Sequence, residues 1–410
     1  MTRQPAPRSP RTGPAHPRAA TAPVLALALA LALALSSAPG GTVPAAGQAP
    51  APARFLDGAP DRDASVRLAV FNPEVFNIRC LEALRANGAL TVPGLKVVGV
   101  YHERQTDDFA ESRRYVEAKR LDWFEFHAVG AEISAPALFR KNACTPEFEA
   151  VVAKTDGVIF FGGPDIPPAV FGERTHLLTE ITDPFRHLFE VSAVFHLLGG
   201  FQDETFVPLL DGRPGFPVLG ICLGHQTLNV GTGGTLVQDI WAETYGTATV
   251  EEAIALGPEA WHTNPYRRLF PLDSLMGVNY HTLQLGDESL FVKAMGFKSA
   301  DHPRIRSSHH QAVEKLGKGL IASASSRDGR VVEAVQHRTY PNVLGLQFHP
   351  EHFLHFDAEP RFRMKPGDPP TSLLAVLEGA PPSAAFNKAV WTWLSDRLAE
   401  SHDRPARPGA

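Results

Sequence analysis

The stretch FPVLGICLGHQ, residues 216–226, decides the fold. Residues 216–221 form a continuous apolar run with no polar alternation, and the residues after Gln226 continue as Thr227-Leu228-Asn229-Val230 in a helical pattern. A strand apolar on both faces belongs in a parallel sheet covered by helices on both sides. Between strand and helix, Gly220 and Gly224 bracket Cys222. Flanking glycines permit a cramped turn that presents a nucleophile at the head of the following helix. The positive end of that helix favours thiolate, which is the reactive form of the side chain. The bland alternative is a small buried thiol in a core turn.

Working outward, residues 67–71, 96–101, 157–161 and 342–348 repeat the apolar strand pattern. Ile78, Leu81 and Leu84 recur at helical spacing. Thr145 reads as an N-cap with Pro146 at the first helical position, ahead of Phe148, Val151 and Val152. Residues 319–325 and 330–336 flank Arg327-Asp328-Gly329, a hairpin signal just before the last buried strand. Residues 386–398 close the chain as an amphipathic helix carrying Val390, Trp393, Leu394 and Leu398. The expected fold is α/β, a doubly wound and mostly parallel sheet with a late β-hairpin, occupying residues 65–400. Residues 199–213 and 241–299 are longer than a minimal domain needs, and read as a lid, an interface or surface decoration.

Ligands of such sheets bind at the carboxyl ends of the strands, so the residues following each apolar run are the candidates. Besides Cys222, residues 347–351 place His349 and Glu351 after the last strand. A histidine can act as base and then acid, and a carboxylate two residues on can orient its second ring nitrogen. Gly162 and Gly163 follow the strand at 157–161. Their backbone N–H groups, with that of Leu223, form a candidate oxyanion hole. His349, His352 and His355 are spaced by three, but Pro350 interrupts them and no His-Glu-x-x-His pattern occurs, so the reading carries neither metal nor cofactor.

These motifs together resemble the class I glutamine amidotransferase superfamily, and within it the gamma-glutamyl hydrolase-like cysteine peptidases that include gamma-glutamyl-gamma-aminobutyrate hydrolases. The likeness covers most of residues 65–355. It also rests on FFGGPDIPPAVFGE (160–173), NVGTGGTLVQDI (229–240) and SSHHQAVEKLGKGL (307–320). The resemblance implies a flavodoxin-like sheet, Cys222 as nucleophile, His349 as base and Glu351 as its partner. It also implies Gly163 and the Leu223 amide at the oxyanion, with Gln226, His309, His310 and Gln311 toward the glutamyl part of a small gamma-glutamyl substrate. Two positions depart from the hydrolase pattern. Leu223 stands where Arg is common, as in the glutaminase half of synthases, and Arg186-His187-Leu188-Phe189-Glu190 has His where Asp is usual. Three functions are therefore weighed: a gamma-glutamyl hydrolase, a glutaminase that supplies ammonia to a synthase, and a non-catalytic binding module on the same sheet.

Composition narrows the setting. Of 410 residues, 44% are hydrophobic and 20% charged, which excludes bulk disorder. Arg3, Arg8, Arg11 and Arg18 precede an uninterrupted Leu/Ala run at 24–35, followed by small residues, the order of an export signal. The expected division is a signal over 1–46, a Pro/Ala-rich linker over 47–64 and a disordered tail over 401–410. Removing those four Arg takes the formal charge from −5 to −9, which argues against nucleic acid as a partner. No membrane span is expected after signal cleavage, and the destination is secreted or periplasmic. In an oxidising compartment Cys80 and Cys144 either pair or remain buried thiols. Oligomeric state stays open, a homodimer included.

Overall fold

The computed structural model describes residues 54–57, 65–271 and 275–403. Among them, twelve strands run in chain order: β1 Arg67–Phe71, β2 Lys96–His102, β3 Phe124–Val129, β4 Gly157–Phe160, β5 Val218–Ile221, β6 Leu236–Val237, β7 Asn279–Leu285, β8 Arg304–Ser307, β9 Ala312–Val313, β10 Leu320–Ser326, β11 Val332–His337 and β12 Val343–Leu346. The principal order is β3-β2-β1-β4-β5-β12-β11-β10-β7-β8, with β6 and β9 paired off this path. The first six of that order pair in parallel and the remainder antiparallel. Leaving edge strand β3 aside, β2-β1-β4-β5-β12 follows the 2-1-3-4-5 order of flavodoxin-like sheets. The hairpin is β10–β11, and it joins the parallel block through β12.

Successive strand residues point to opposite faces, which divides the apolar runs into two cores. Leu68, Val70, Ile159, Leu219 and Ile221 face one layer; Ala69, Phe71, Val158, Phe160 and Val218 face the other. The first layer is closed by α1 (Val75–Ala86) through Ile78, Leu81 and Leu84, and by the C-terminal helix Ser383–Asp403 through Phe386, Val390, Trp391 and Leu394. After α2 (Ala110–Lys119), the second layer is closed by α3 (Thr145–Lys154), α4 (Pro184–Leu198) and α5 (Leu223–Gly231). Cys80 is buried on α1, which closes the first layer, Cys144 lies in the second core, and all three cysteines are free. The sheet thus separates the two candidates for a disulfide. Burial pushes the Cys144 thiol up to about 12 and raises that of Cys80 further.

Several expected boundaries move. The α3 helix starts one residue early, so Cys144 is the N-cap and Thr145 the first helical residue. Part of the expected linker is docked: Arg54 bridges to His127 in β3, Leu56 is only 2% exposed, and Arg54 pairs with Glu147 at 2.8 Å. The C-terminal helix runs through Ser401–Asp403, where Arg213 donates to the Ser401 hydroxyl at 2.9 Å, so the expected tail loses its first three residues to the fold. The long segment 241–299 does more than decorate, because it adds β7 to the sheet between β10 and β8. The expected signal, the rest of the linker and residues 404–410 lie outside the described residues. Among those described, no helix is long and apolar enough to cross a membrane.

Candidate active site

The strand β5 delivers Cys222 into a backbone conformation of φ 52° and ψ −104°, and α5 begins at the next residue. Such a conformation costs a non-glycine residue about 1–3 kcal/mol and persists only where its surroundings enforce it. They do so here. The Cys222 N–H donates to Leu346 O of β12 at 2.7 Å, and Gln226 N–H donates to Cys222 O at 3.1 Å. The flanking glycines are required by contact rather than by φ: a Cβ on Gly220 would lie 2.5 Å from Gly224 O, and one on Gly224 would lie 2.1 Å from Phe160 O. Leu223 occupies the first position of α5, where the N–H has no partner within the helix.

Past the end of β12, Gln347 N–H donates to Glu333 O at 2.8 Å and His349 N–H donates to Arg306 O at 3.0 Å. The Pro350 carbonyl accepts from the Trp391 indole at 3.2 Å, which fixes the turn between His349 and Glu351. His349 Nδ1 lies 2.7 Å from Glu351 Oε1, so this nitrogen donates to the carboxylate and Nε2 is left without a hydrogen-bond partner. A Cβ placed on Gly162 would lie 3.1 Å from His349 Cε1 and 3.5 Å from Cys222 Cβ. Thiol, imidazole and glycine turn therefore surround one small volume. Burial lowers the His349 pKa, but the Glu351 carboxylate and Cys222 outweigh it and raise the imidazole to about 9. Imidazolium beside sulfur at neutral pH is an arrangement suited to nucleophilic attack followed by proton donation to a leaving group.

The glycine turn is held from behind by Arg186 of α4, which is 1% exposed. Its guanidinium donates to Phe161 O at 3.2 Å, to Gly162 O at 2.8 Å and to Glu190 at 2.9 Å. A Cβ on Gly163 would sit 2.1 Å from Arg186 Nη1, and this pinned side chain has no room to retreat. Gly163→Ala is expected to lower the melting temperature by several degrees and to slow turnover at least tenfold, measured by thermal unfolding and kcat on one preparation. The Arg186–Glu190 pair is the reason for the Arg-x-x-x-Glu spacing seen in the sequence. His187, at the position where Asp is usual, is 1% exposed, has no hydrogen-bond partner, and is driven by burial to a pKa of about 3, so it packs as a neutral ring.

Gln226 and Gln311 join the site, with a residue the sequence reading did not single out. Gln226 Nε2 donates to Gln311 O and to Gln347 Oε1, both at 3.3 Å, and Gln347 Nε2 lies 3.8 Å from Cys222 Sγ. Gln347 stood within the run 342–348 that the sequence reading assigned to the last strand. The chain has already left β12 there, which turns Gln347 toward the thiol. The Gln311 side-chain amide is buried with no partner on either atom, a group available to a substrate.

His309 and His310 take different partners. His310 lies between Asp165, at 3.0 Å from Nε2, and Asp239, at 3.3 Å from Nδ1. Burial lowers its pKa, but the hydrogen bonds to Asp165 and Asp239 outweigh this and raise it to about 9. Raised above its unfolded value, this histidine stabilises the fold fully below about pH 6.5 and loses that contribution as pH rises through about 9. Wild-type stability is therefore expected to fall over that window relative to His310→Gln, as read by urea unfolding across pH. His309 instead turns Nε2 toward His262, His281 and Glu333, four groups whose ligand atoms lie within 4.8 Å of one another. The sequence reading weighed a metal on His349, His352 and His355; the residues that converge come from four separated segments, so no local spacing announced them.

Compared with known proteins, residues 96–351 match the family model described as Peptidase C26. The chain is 28% identical over 207 residues to "Putative glutamine amidotransferase-like protein YvdE" of Lactococcus lactis subsp. lactis, covering 50% of this chain and 70% of that one. It is 31% identical over 201 residues to "Putative glutamine amidotransferase Rv2859c" of Mycobacterium tuberculosis, covering 49% of this chain and 52% of that one. The chain thus spans about half the length of the mycobacterial relative. With the family match extending over more than half of the chain and across β2 to Glu351, this protein belongs to the Peptidase C26 family, a cysteine hydrolase-type branch of the class I glutamine amidotransferase-like proteins.

Proposed function

We propose that the protein hydrolyses gamma-glutamyl amide bonds through a thioester on Cys222. The observation that carries this reading is the convergence of Cys222, the His349–Glu351 pair and the Gly162 turn at the carboxyl ends of neighbouring strands. The Cys222 thiolate attacks the gamma-carbonyl carbon, and the oxyanion that forms rests against the N–H groups of Leu223 and Gly163. Collapse breaks the C–N bond, His349 gives its proton to the departing amine, and a gamma-glutamyl thioester remains. Water, deprotonated by His349, attacks that thioester; glutamate leaves and the thiolate returns. Glu351 holds the ring orientation throughout. In this reading Gln226 and Gln311 meet the alpha-amino and alpha-carboxyl groups of the glutamyl substrate. Residues 1–46 are a cleaved export signal in this reading, so the substrate is met outside the cytoplasm, with no nucleic acid involved.

The glutamine amidotransferase names of the relatives and the Leu after the nucleophile favour a second reading, a glutaminase that releases ammonia. One panel separates the two. Release of glutamate is measured from gamma-glutamyl-aminobutyrate, a poly-gamma-glutamate and free glutamine, with mass spectrometry of acid-quenched enzyme. Turnover of the gamma-glutamyl amide or peptide with a glutamyl adduct on Cys222 is expected. Turnover of glutamine alone selects the glutaminase, and a reactive panel with no adduct on Cys222 rejects the mechanism.

A further inference from the structure

A second cluster of chemistry-bearing residues lies apart from Cys222. His262 comes from the long inserted segment, His281 from β7, His309 from the turn between β8 and β9, and Glu333 from β11. Their exposures are 1%, 0%, 5% and 0%. Glu333 Oε1 lies 3.2 Å from His262 Nδ1, 3.4 Å from His281 Nε2 and 3.8 Å from His309 Nε2. None of these approaches has hydrogen-bond geometry. Both Glu333 oxygens and all three facing nitrogens are buried without a partner. Four polar side chains aimed at one another in a dry interior, and not bonded to one another, call for a common partner at their centre.

We propose that His262, His281, His309 and Glu333 form a structural binding site for a divalent transition metal of the zinc class. Three imidazoles and one carboxylate suit zinc, whereas calcium and magnesium require more oxygen ligands. Tetrahedral zinc with ligands at about 2.1 Å has ligand-to-ligand edges of about 3.4 Å, and the three Glu333 separations bracket that length. Two of the rings are oriented from outside: His309 Nδ1 donates to Gln311 O at 2.8 Å, and His281 Nδ1 faces Thr282 O at 3.4 Å. With the proton on Nδ1, each Nε2 lone pair points inward. Burial lowers the pKa of all three imidazoles, which keeps them in the neutral form that binds metal.

Four protein ligands close a tetrahedral shell, and that is the signature of a structural rather than a catalytic ion. The ion ties the inserted segment and β7 to β11, and fixes the turn whose Gln311 carbonyl accepts from Gln226. It reaches the thiol only through positioning. The backbone carbonyl of the same Glu333 receives Gln347 N–H, whose side chain approaches Cys222.

The test uses the full chain, reconstituted with zinc and dialysed, with bound metal counted by inductively coupled plasma mass spectrometry. The expected result is one zinc per chain, retained roughly tenfold or more weakly in His262→Gln and Glu333→Gln. Replacing zinc by cobalt(II) in the wild type should give the intense visible bands of four-coordinate cobalt, a readout that holds even where a variant does not fold. A cooperatively folded wild type that retains no zinc and shows no such bands overturns the site, as does undiminished zinc in both variants. The Cys222 chemistry is measured on a different axis, so either failure leaves the hydrolase reading where it stood.

Discussion

Cys222→Ala is expected to cut turnover of a gamma-glutamyl amide by roughly 10⁴-fold or more while leaving the chain folded, because removing a nucleophile forfeits the whole covalent path. The backbone at this position is held by Leu346 O and by the crowding of Gly220 and Gly224, none of which involves the sulfur. Alanine therefore inherits the same φ of 52° and the same strain, and the melting temperature should move by only a few degrees. The informative comparison is kcat/KM against thermal unfolding on one preparation. A variant that retains more than a small fraction of activity would remove Cys222 from the mechanism. One that loses activity and unfolds together would say nothing of chemistry, and Cys222→Ser, which keeps a small polar side chain on the same backbone, then separates the two.

Glu351→Gln carries the second large effect, a loss of roughly 10²- to 10⁴-fold in kcat/KM. The carboxylate is 1% exposed and accepts from His349 Nδ1 at 2.7 Å, so the substitution keeps shape and removes charge. Burial alone would press the His349 pKa down; Glu351 and Cys222 together hold it up at about 9. The competent form is imidazolium beside thiolate, so wild-type kcat/KM should fall on the alkaline side near pH 9. Without the carboxylate, that limb moves to lower pH by about one unit or more. The same sign governs stability: the His349 contribution is complete below about pH 6.5 and fades as pH rises through about 9. An alkaline limb that stays where it was would show that Glu351 does not act on His349.

The parallel block was legible because its strands are apolar on both faces, and the strand-to-helix turn at Cys222 because two glycines flank one cysteine. β3 was not, since its sequence alternates Phe124-Glu125-Phe126-His127 and Glu125 is exposed at the sheet edge. β7 was hidden for a related reason: Asn279-Tyr280-His281-Thr282 reads as polar, and the buried His281 looks inward to other histidines rather than to an apolar core. His349 and Glu351 could be paired from sequence because only Pro350 stands between them. Arg186 behind the glycine turn, and the partners of His309, depend on contacts between distant segments, which no local pattern encodes. His309 and His310 are neighbours in sequence, yet one turns into the metal-ligand cluster and the other into the Asp165–Asp239 clamp. A two-residue motif could not distinguish those destinations.

The position of β12 sets the order of events during biosynthesis. Its partners are β5 on one side and β11 on the other, so the last strand among the described residues fills a gap in the middle of the sheet. Until residues 343–346 have emerged from the ribosome, β5 and β11 each present an open edge, and the Cys222 N–H lacks its acceptor at Leu346. Closing a gap between such distant segments is a late step in folding, because its long-range contacts form only when both edges and the inserted strand are present. The strained turn at Cys222 is therefore enforced only once this late strand has taken its place between the two edges.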